Sequence, residues 1–175
     1  MAKAKTAIFT ITEEVALPAT ATMTTATIPI GSLIDVGDAQ ALEVVSVDYV
    51  IQQYDGGYVP YNGMFSAAGG ITAQLLDKNE SEFISAADNN VISSMAFVQS
   101  AADALSHSAD FYPDDFRGTD SGRFVVNDEM YILAEAAGSF ASSQSARLTV
   151  RIRAKVVKLS TRDWMAISLE TVQNE

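Results

Sequence analysis

The segment RLTVRIRAKVVK, residues 147–158, carries the clearest structural signal in this sequence. Apolar and polar side chains alternate along it, and a β-strand places successive side chains on opposite faces. The alternation therefore predicts a half-buried strand with a basic outer face. The predicted inward positions are Leu148, Val150, Ile152, Ala154 and Val156, and the predicted outward positions are Arg147, Thr149, Arg151, Arg153 and Lys155.

The rest of the chain is acidic. Its 175 residues include 22 Asp and Glu against 11 Lys and Arg, which gives a net charge of −11. A nucleic-acid binder needs a net basic footprint, so this balance argues against direct contact with nucleic acid. An acidic, lysine-poor and alanine-rich composition is typical of organisms that live in high salt, where screening relieves self-repulsion. An ordinary acidic mesophilic protein is the alternative.

Length and composition predict one globular domain over residues 1–175. The chain is 48% hydrophobic and has no cysteine, so neither a disulfide framework nor a thiolate metal site is expected. No stretch approaches the roughly 20 apolar residues of a membrane-spanning helix. The N-terminal residues MAKAKTAIFTITEE lack the apolar core of a signal peptide.

Further strands are indicated by alternation and by β-branched and aromatic residues. Pro29 makes the threonine-rich stretch an edge strand or a strand end. In the strand over 42–54 we expect Val45, Val47, Tyr49 and Ile51 to face inward. Residues 91–99 fit a strand or a short helix, and 101–109 lean helical by composition. Strands are predicted over residues 6–14, 22–30, 42–54, 71–77, 123–126 and 129–135.

Together these elements predict an all-β fold. Many short strands separated by turn signals, with no βαβ alternation, are typical of a sandwich or barrel. We favour a single jelly roll of about eight antiparallel strands with long loops and one or two short helices; an immunoglobulin-like sandwich is the alternative. Ser160 as N-cap with Asp163 three residues later predicts a short C-terminal helix, with a final strand as the alternative.

No catalytic motif stands out in the sequence. His107 is the only histidine, and it lies beside serines in ALSHSAD, which favours a surface role. A metal site of the cupin type needs several histidines, and a Ser-His-Asp hydrolase needs a positioned nucleophile. We therefore predict that the protein is not an enzyme and has no cofactor.

Two groups of loop acids are weak candidates for binding calcium, which prefers several oxygen ligands. The first group matches no EF-hand spacing, and solvated loop acids are the commoner explanation for both. The first group contains Asp110, Asp114, Asp115 and Asp120, and the second contains Asp35 and Asp38.

The basic face of residues 147–158 has three readings. It is a solvated outer face, or it pairs with acidic strands of its own sheet, or it binds an acidic neighbouring subunit, where charge complementarity fixes the register. Aromatic and methionine residues in two long loops favour the third reading, because such residues are enriched at interface centres. The predicted interface contains Arg147, Arg151, Arg153, Lys155, Tyr58, Tyr61, Phe65, Phe111 and Tyr112, with Met64 and Phe116 nearby.

The order of these features resembles a single jelly-roll capsid protein. The strand TAIFTITEE, the segment IPIGSLIDVGDAQALEVVSVDYVIQ and the closing RFVVNDEMYILAE and RLTVRIRAKVVKLSTRDW carry the resemblance. With its composition, the chain is similar to the small major capsid proteins of tailless icosahedral viruses of halophilic archaea, which carry an internal membrane. The resemblance implies copies of the chain, a paralogous barrel and the internal membrane beneath the shell as partners. It also implies a place in the virion after assembly in the host cytoplasm.

The sequence thus predicts a viral structural protein that assembles into capsomers of an icosahedral shell. A second hypothesis is a carbohydrate- or ligand-binding β-sandwich that uses Tyr58, Tyr61 and the acidic loop with calcium. An enzyme built on a β-scaffold is a third, for which Asp114 and His107 are the residues to test.

Overall fold

A computed structural model describes residues 2–18, 21–53, 64–100, 105–109, 122–140 and 146–172. No helix in these ranges is long and apolar enough to cross a membrane. The strands are β1 (Lys3–Ala4), β2 (Phe9–Leu17), β3 (Thr24–Pro29), β4 (Gln40–Gln53), β5 (Gly69–Leu76), β6 (Val91–Gln99), β7 (Leu105–Ala109), β8 (Arg123–Val125), β9 (Glu129–Ala137) and β10 (Ala146–Lys158); a 3₁₀ turn spans Val36–Asp38 and helix α1 spans Thr161–Val172.

Two antiparallel sheets pack face to face. One has the order β2-β10-β4-β8, with β1 continuing the β2 edge; the other has the order β3-β9-β5-β6-β7. We call them the β10 sheet and the β9 sheet. From β2 to β10, consecutive strands belong to different sheets. The exceptions are β5, β6 and β7, which follow one another within the β9 sheet. This order, with strands from both ends of the chain side by side, is that of a jelly roll, so the predicted fold class is confirmed.

Strand β10 lies in the middle of its sheet, between β2 and β4. Its predicted inward side chains, from Leu148 to Val156, are all buried in the core between the sheets. Facing them from the β9 sheet are apolar side chains of the same two-residue period, including Ile71, Phe97 and Ile132. The alternation of residues 147–158 therefore predicted both the strand and its buried face correctly.

A β-bulge in β4 changes which of its side chains face the core. The pairing with β10 shifts between Arg153 and Ala154, so that Ser46 and Val44 have partners and Val45 is the extra residue. Val44 is fully buried and Val45 only partly. The prediction that Val45 faces inward was therefore wrong, because a bulge moves one residue out of the alternation. Past the bulge, Ile51 is buried and Val47 and Tyr49 pack against the core, as predicted.

The two edge strands of the β9 sheet illustrate different signals. Strand β3 lies at the edge and ends at Pro29, as the proline predicted. The helical reading of 101–109 was wrong over 105–109, where β7 pairs with β6. Backbone pairing outweighs intrinsic helix propensity, which differs by less than about 1 kcal/mol per residue among ordinary residues. Residues 91–99, for which the sequence left a strand and a short helix open, form the strand β6.

The segment between β5 and β6 folds over the outer face of the β9 sheet. Phe83 and Ile84 pack there against Leu76, Val91 and Leu133. The side chain of Gln74 holds the segment in place: its Nε2 donates to the Ile84 carbonyl at 2.8 Å, and its Oε1 accepts from the Ile84 N–H at 3.1 Å. One amide thus satisfies both backbone groups of Ile84.

Candidate interaction surface

The outer face of the β10 sheet carries the basic side chains of β10. Arg147, Arg151, Arg153 and Lys155 point away from the core, with the neighbouring strands on either side. The structure therefore brings the four predicted basic interface residues onto one face. They differ in their surroundings, because the acidic residues of β2 and β4 lie beside only some of them.

The two outermost residues of this row are held by carboxylates of the same sheet. Arg147 donates to Glu14 Oε1 at 2.8 Å, between two half-exposed side chains. Lys155 Nζ lies 3.0 Å from Oε1 of Glu43, whose side chain is only 4% exposed. The same oxygen accepts from the Gly122 N–H at 3.2 Å. A carboxylate as buried as that of Glu43 needs a cationic partner. Lys155 therefore stabilises the folded chain by supplying it.

Arg151 and Arg153, in the middle of the row, are exposed and make no ion pair with a residue in the described ranges. We call these two residues the arginine pair. Arg151 lies between Asp48 and Thr12, and Arg153 lies between Ser46 and Thr10. The neighbours are short, so both guanidinium groups are open to a partner. Arg151 and Arg153 are two residues apart on one strand face, a rise of roughly 7 Å.

Helix α1 closes one end of this face. Ser160 Oγ accepts from the Asp163 N–H at 3.2 Å, which is the predicted N-cap. Trp164 and Ile167 then pack on Ala41 and Val157 of the sheet. Trp164 Nε1 also donates to the backbone of β4, at the Gln40 carbonyl, at 3.2 Å. The open part of the face therefore extends from α1 towards the Ala146 end of β10, with the arginine pair within it.

Asp38, a weak calcium candidate in the sequence, forms ion pairs instead. Its carboxylate contacts Lys158 Nζ and lies 3.4 Å from Lys5 Nζ. The hydrogen bond from Lys158, then that from Gln40, lowers the pKa of Asp38 to about 2. Two lysines occupy the oxygens that would bind a cation, so the reading of Asp35 and Asp38 as a calcium site is corrected. Through Asp38, these ion pairs connect Lys5, just after β1, with Lys158 at the end of β10.

A cleft of about 340 Å³ opens at the end of the sandwich where β5 ends and β9 begins. Three carboxylates and one lysine line it, together with two carboxamides and a phenol. We call it the acidic cleft. Its lining residues are Asp77, Lys78, Asn79, Asn127, Asp128, Glu129 and Tyr131. Within the described ranges no three Asp, Glu or His residues are grouped so as to hold a metal ion.

Asp77 forms the floor of the acidic cleft and is 1% exposed. Asn127 Nδ2 donates to its Oδ1 at 2.9 Å and to its backbone carbonyl at 2.8 Å. Its Oδ2 lies 4.0 Å from Arg123 and has no hydrogen-bond donor within the described ranges. Burial raises the pKa of Asp77 from 3.8 to about 6, although Arg123 and then Asn127 act in the opposite direction. Asp77 could not be identified as a site residue from the sequence, because an aspartate after a strand resembles any loop acid.

Two of the predicted apolar loop residues, Met64 and Phe65, are placed differently from the prediction. Phe65, predicted at an interface, is 3% exposed and stacks on Phe140 with ring centroids 4.9 Å apart. Met64 is also buried. Both close one end of the core, because Gln99 hydrogen-bonds the backbone of Phe65 and pulls the segment inward. The exposed loop position expected for Phe65 was therefore wrong.

Most of the remaining predicted residues lie outside the described ranges, and His107 is described only by its backbone. His107 belongs to β7, where its backbone pairs with Phe97. The interface residues Tyr58, Tyr61, Phe111 and Tyr112, the nearby Phe116 and the candidate calcium ligands Asp110, Asp114, Asp115 and Asp120 lie outside the described residues.

Comparison with known proteins finds a likeness among solved structures. No protein-family model matches the chain, and no curated protein matches it. Among solved structures, a chain of Desmodium yellow mottle tymovirus aligns over 89% of this chain and 90% of its own length. The TM-score is 0.39 and the sequence identity is 9%. The jelly-roll assignment therefore stands on the strand order described above.

Proposed function

We propose that this protein is a structural subunit that assembles with other copies of itself into a protein shell, the capsid of a virus. The observation that carries the proposal is the arginine pair. Two exposed arginines occupy the central strand of a sheet face in a chain whose net charge is −11. Such a surface fits an acidic protein partner, and another copy of the chain is acidic.

The fold is compatible with this function, and the arginine pair favours it over others that use a jelly roll. Jelly rolls form viral capsids, lectin domains and cupins. Between copies of a subunit, charge complementarity fixes partner choice and register. The arginine pair lies on a sheet face and is held by a rigid strand, which suits a geometrically defined contact.

The finer proposals follow the sequence resemblance. They are an icosahedral shell of a tailless archaeal virus, with a second, paralogous barrel as partner and an internal membrane beneath. The protein would then reside in the virion after assembly in the host cytoplasm.

Sedimentation velocity and light scattering at several protein concentrations, from about 0.1 to 3 M salt, test the proposal. This range shortens the Debye length from roughly 10 to below 3 Å. We expect discrete oligomers or shells whose population changes with salt, visible as closed particles by electron microscopy. The variant R151E/R153E should lose assembly, whereas R162E, a charge reversal at an exposed position of α1, should retain it. A strict monomer under every condition contradicts the proposal.

A further inference from the structure

We infer that the arginine pair of one copy binds the acidic cleft of a second copy. This inference rests on the proposed function and identifies the surface that receives the arginines. It defines a contact between two different parts of the chain, the outer face of the β10 sheet and the end of the sandwich where β9 begins.

The first support is the distribution of carboxylates. Along the β10 sheet and its N-terminal edge, Glu14, Glu43 and Asp38 already bind basic residues of their own chain. Asp128 and Glu129 are exposed and make no ion pair with a residue in the described ranges. They are adjacent in sequence and line the same cleft. The cleft therefore holds two adjacent exposed carboxylates that are left without a cation.

The second support is the buried carboxylate on the floor of the cleft. Asp77 has one oxygen without a hydrogen-bond donor, and its nearest cation in the described ranges, Arg123, is 4.0 Å away. A carboxylate that is poorly screened by water keeps the potential of the cleft negative and attracts a cation to its mouth. Lys78 is the single basic residue in the lining, against three carboxylates.

The shape and chemistry of the cleft fit a guanidinium group. Its carboxylates do not converge on one point, as a metal ion would require. Arginine presents a planar fork of donors that binds carboxylates in pairs, and it is weakly hydrated, so it suits a partly buried contact. Asn79 and Asn127 add carboxamide groups beside the acids. A volume of about 340 Å³ accommodates arginine side chains.

The two surfaces do not overlap, so one copy can engage two neighbours. Such a heterologous contact produces a ring when the rotation closes and an open chain when it does not. Closed rings of barrels are what a shell made of capsomers needs. The arginine pair would therefore supply the contact within a capsomer.

A charge-swap experiment tests this inference. R151E/R153E and D128R/E129R are made separately and together, and the apparent dissociation constant for assembly is measured by sedimentation velocity. We expect each pair alone to weaken assembly about tenfold or more. The combined variant restores the attraction with reversed signs and should recover most of the affinity. E82R/E135R has the same change in net charge outside the cleft and should assemble like the parent chain.

The outcomes separate the inference from the proposed function. If R151E/R153E weakens assembly while D128R/E129R behaves like E82R/E135R, the arginine pair has another partner and the inference is overturned, but the proposed function stands. If the unmodified chain does not assemble, both fail. Circular dichroism verifies that each variant folds. If D128R/E129R does not fold, D128N/E129Q replaces it. This neutral variant should weaken assembly by itself, and it should not restore the assembly of R151E/R153E.

Discussion

Replacing Asp77 by asparagine should change how the stability of this protein depends on pH. The pKa of Asp77 is about 6 in the folded chain against an ordinary 3.8. The folded state therefore keeps its proton in a range where the unfolded state has lost it. The free energy of unfolding falls as pH rises from about 4 to about 6, and the contribution of protonated Asp77 is complete below this window and absent above it.

The magnitude follows from the difference of about two pH units, each of which corresponds to about 1.4 kcal/mol. Ionised Asp77 therefore costs the folded protein about 3 kcal/mol at pH 7. Asparagine keeps the acceptor for Asn127 and carries no charge. The free energy of unfolding of D77N minus that of the parent chain should thus rise by about 3 kcal/mol from pH 4 to pH 7. A pH-independent effect of the amide would shift this difference equally at every pH.

Urea unfolding followed by circular dichroism, at fixed salt and at four pH values from 4 to 7, measures this difference. Titrating groups that are unaffected by the substitution cancel in the comparison. R123M provides a test in the opposite direction, because removing the nearby cation should raise the pKa of Asp77 further and extend the loss of stability above pH 6. A difference between D77N and the parent that is constant within about 0.5 kcal/mol would refute the reasoning.

Three further substitutions test the packing and the ion pairs. Ala39 has a φ of +52°, so A39G should raise the free energy of unfolding by about 0.5–1 kcal/mol, the left-handed strain it relieves minus the entropy of glycine. A Cβ on Gly69 would lie 2.5 Å from the ring of Phe65, so G69A should destabilise by about 1–3 kcal/mol. K155M leaves Glu43 buried without its cation and should cost about 2 kcal/mol, since Lys155 is only partly buried. Thermal and urea unfolding of the monomer measure all three.

Matched variants show whether the stated cause is the right one. G37A adds a Cβ whose nearest neighbour is Oδ1 of Asp35 at 3.2 Å, on an exposed side chain, and should be tolerated far better than G69A. E43Q/K155M removes both charges and should recover most of the stability that K155M loses. A39G is the simplest case, because any fall in its melting temperature contradicts the strain argument.

The fold was largely predictable because its signals are local. Alternation in residues 147–158 identified the central strand and its buried face, and Pro29 identified an edge. Spacing of Ser160 and Asp163 identified the start of α1. Each signal depends on a few consecutive residues and on the two-residue or 3.6-residue period of the backbone. The assignment of strands to sheets then follows from the jelly-roll order.

Features that depend on distant residues could not be read from the sequence. Val45 lost its inward position because the pairing with β10 contains a bulge, and β7 is a strand because β6 offers it a partner. Asp38 binds Lys5 and Lys158, of which the latter is 120 residues away. The raised pKa of Asp77 depends on burial by segments that the chain brings together only on folding. None of these has a local pattern.

The basic row on β10 shows why a charge pattern alone leaves its role open. The sequence offered solvation, pairing within the sheet and binding of a neighbour as alternatives for the whole row. The structure divides the row, because Arg147 and Lys155 form ion pairs with Glu14 of β2 and Glu43 of β4. Arg151 and Arg153 form no ion pair with a residue in the described ranges, although Asp48 lies beside Arg151. A charge that is already paired contributes to the fold, and breaking the pair costs stability. An exposed, unpaired charge costs the monomer little to remove, so its effect must be sought in association. Stability measured for K155M and association measured for R151E/R153E therefore report on two separate roles within one strand.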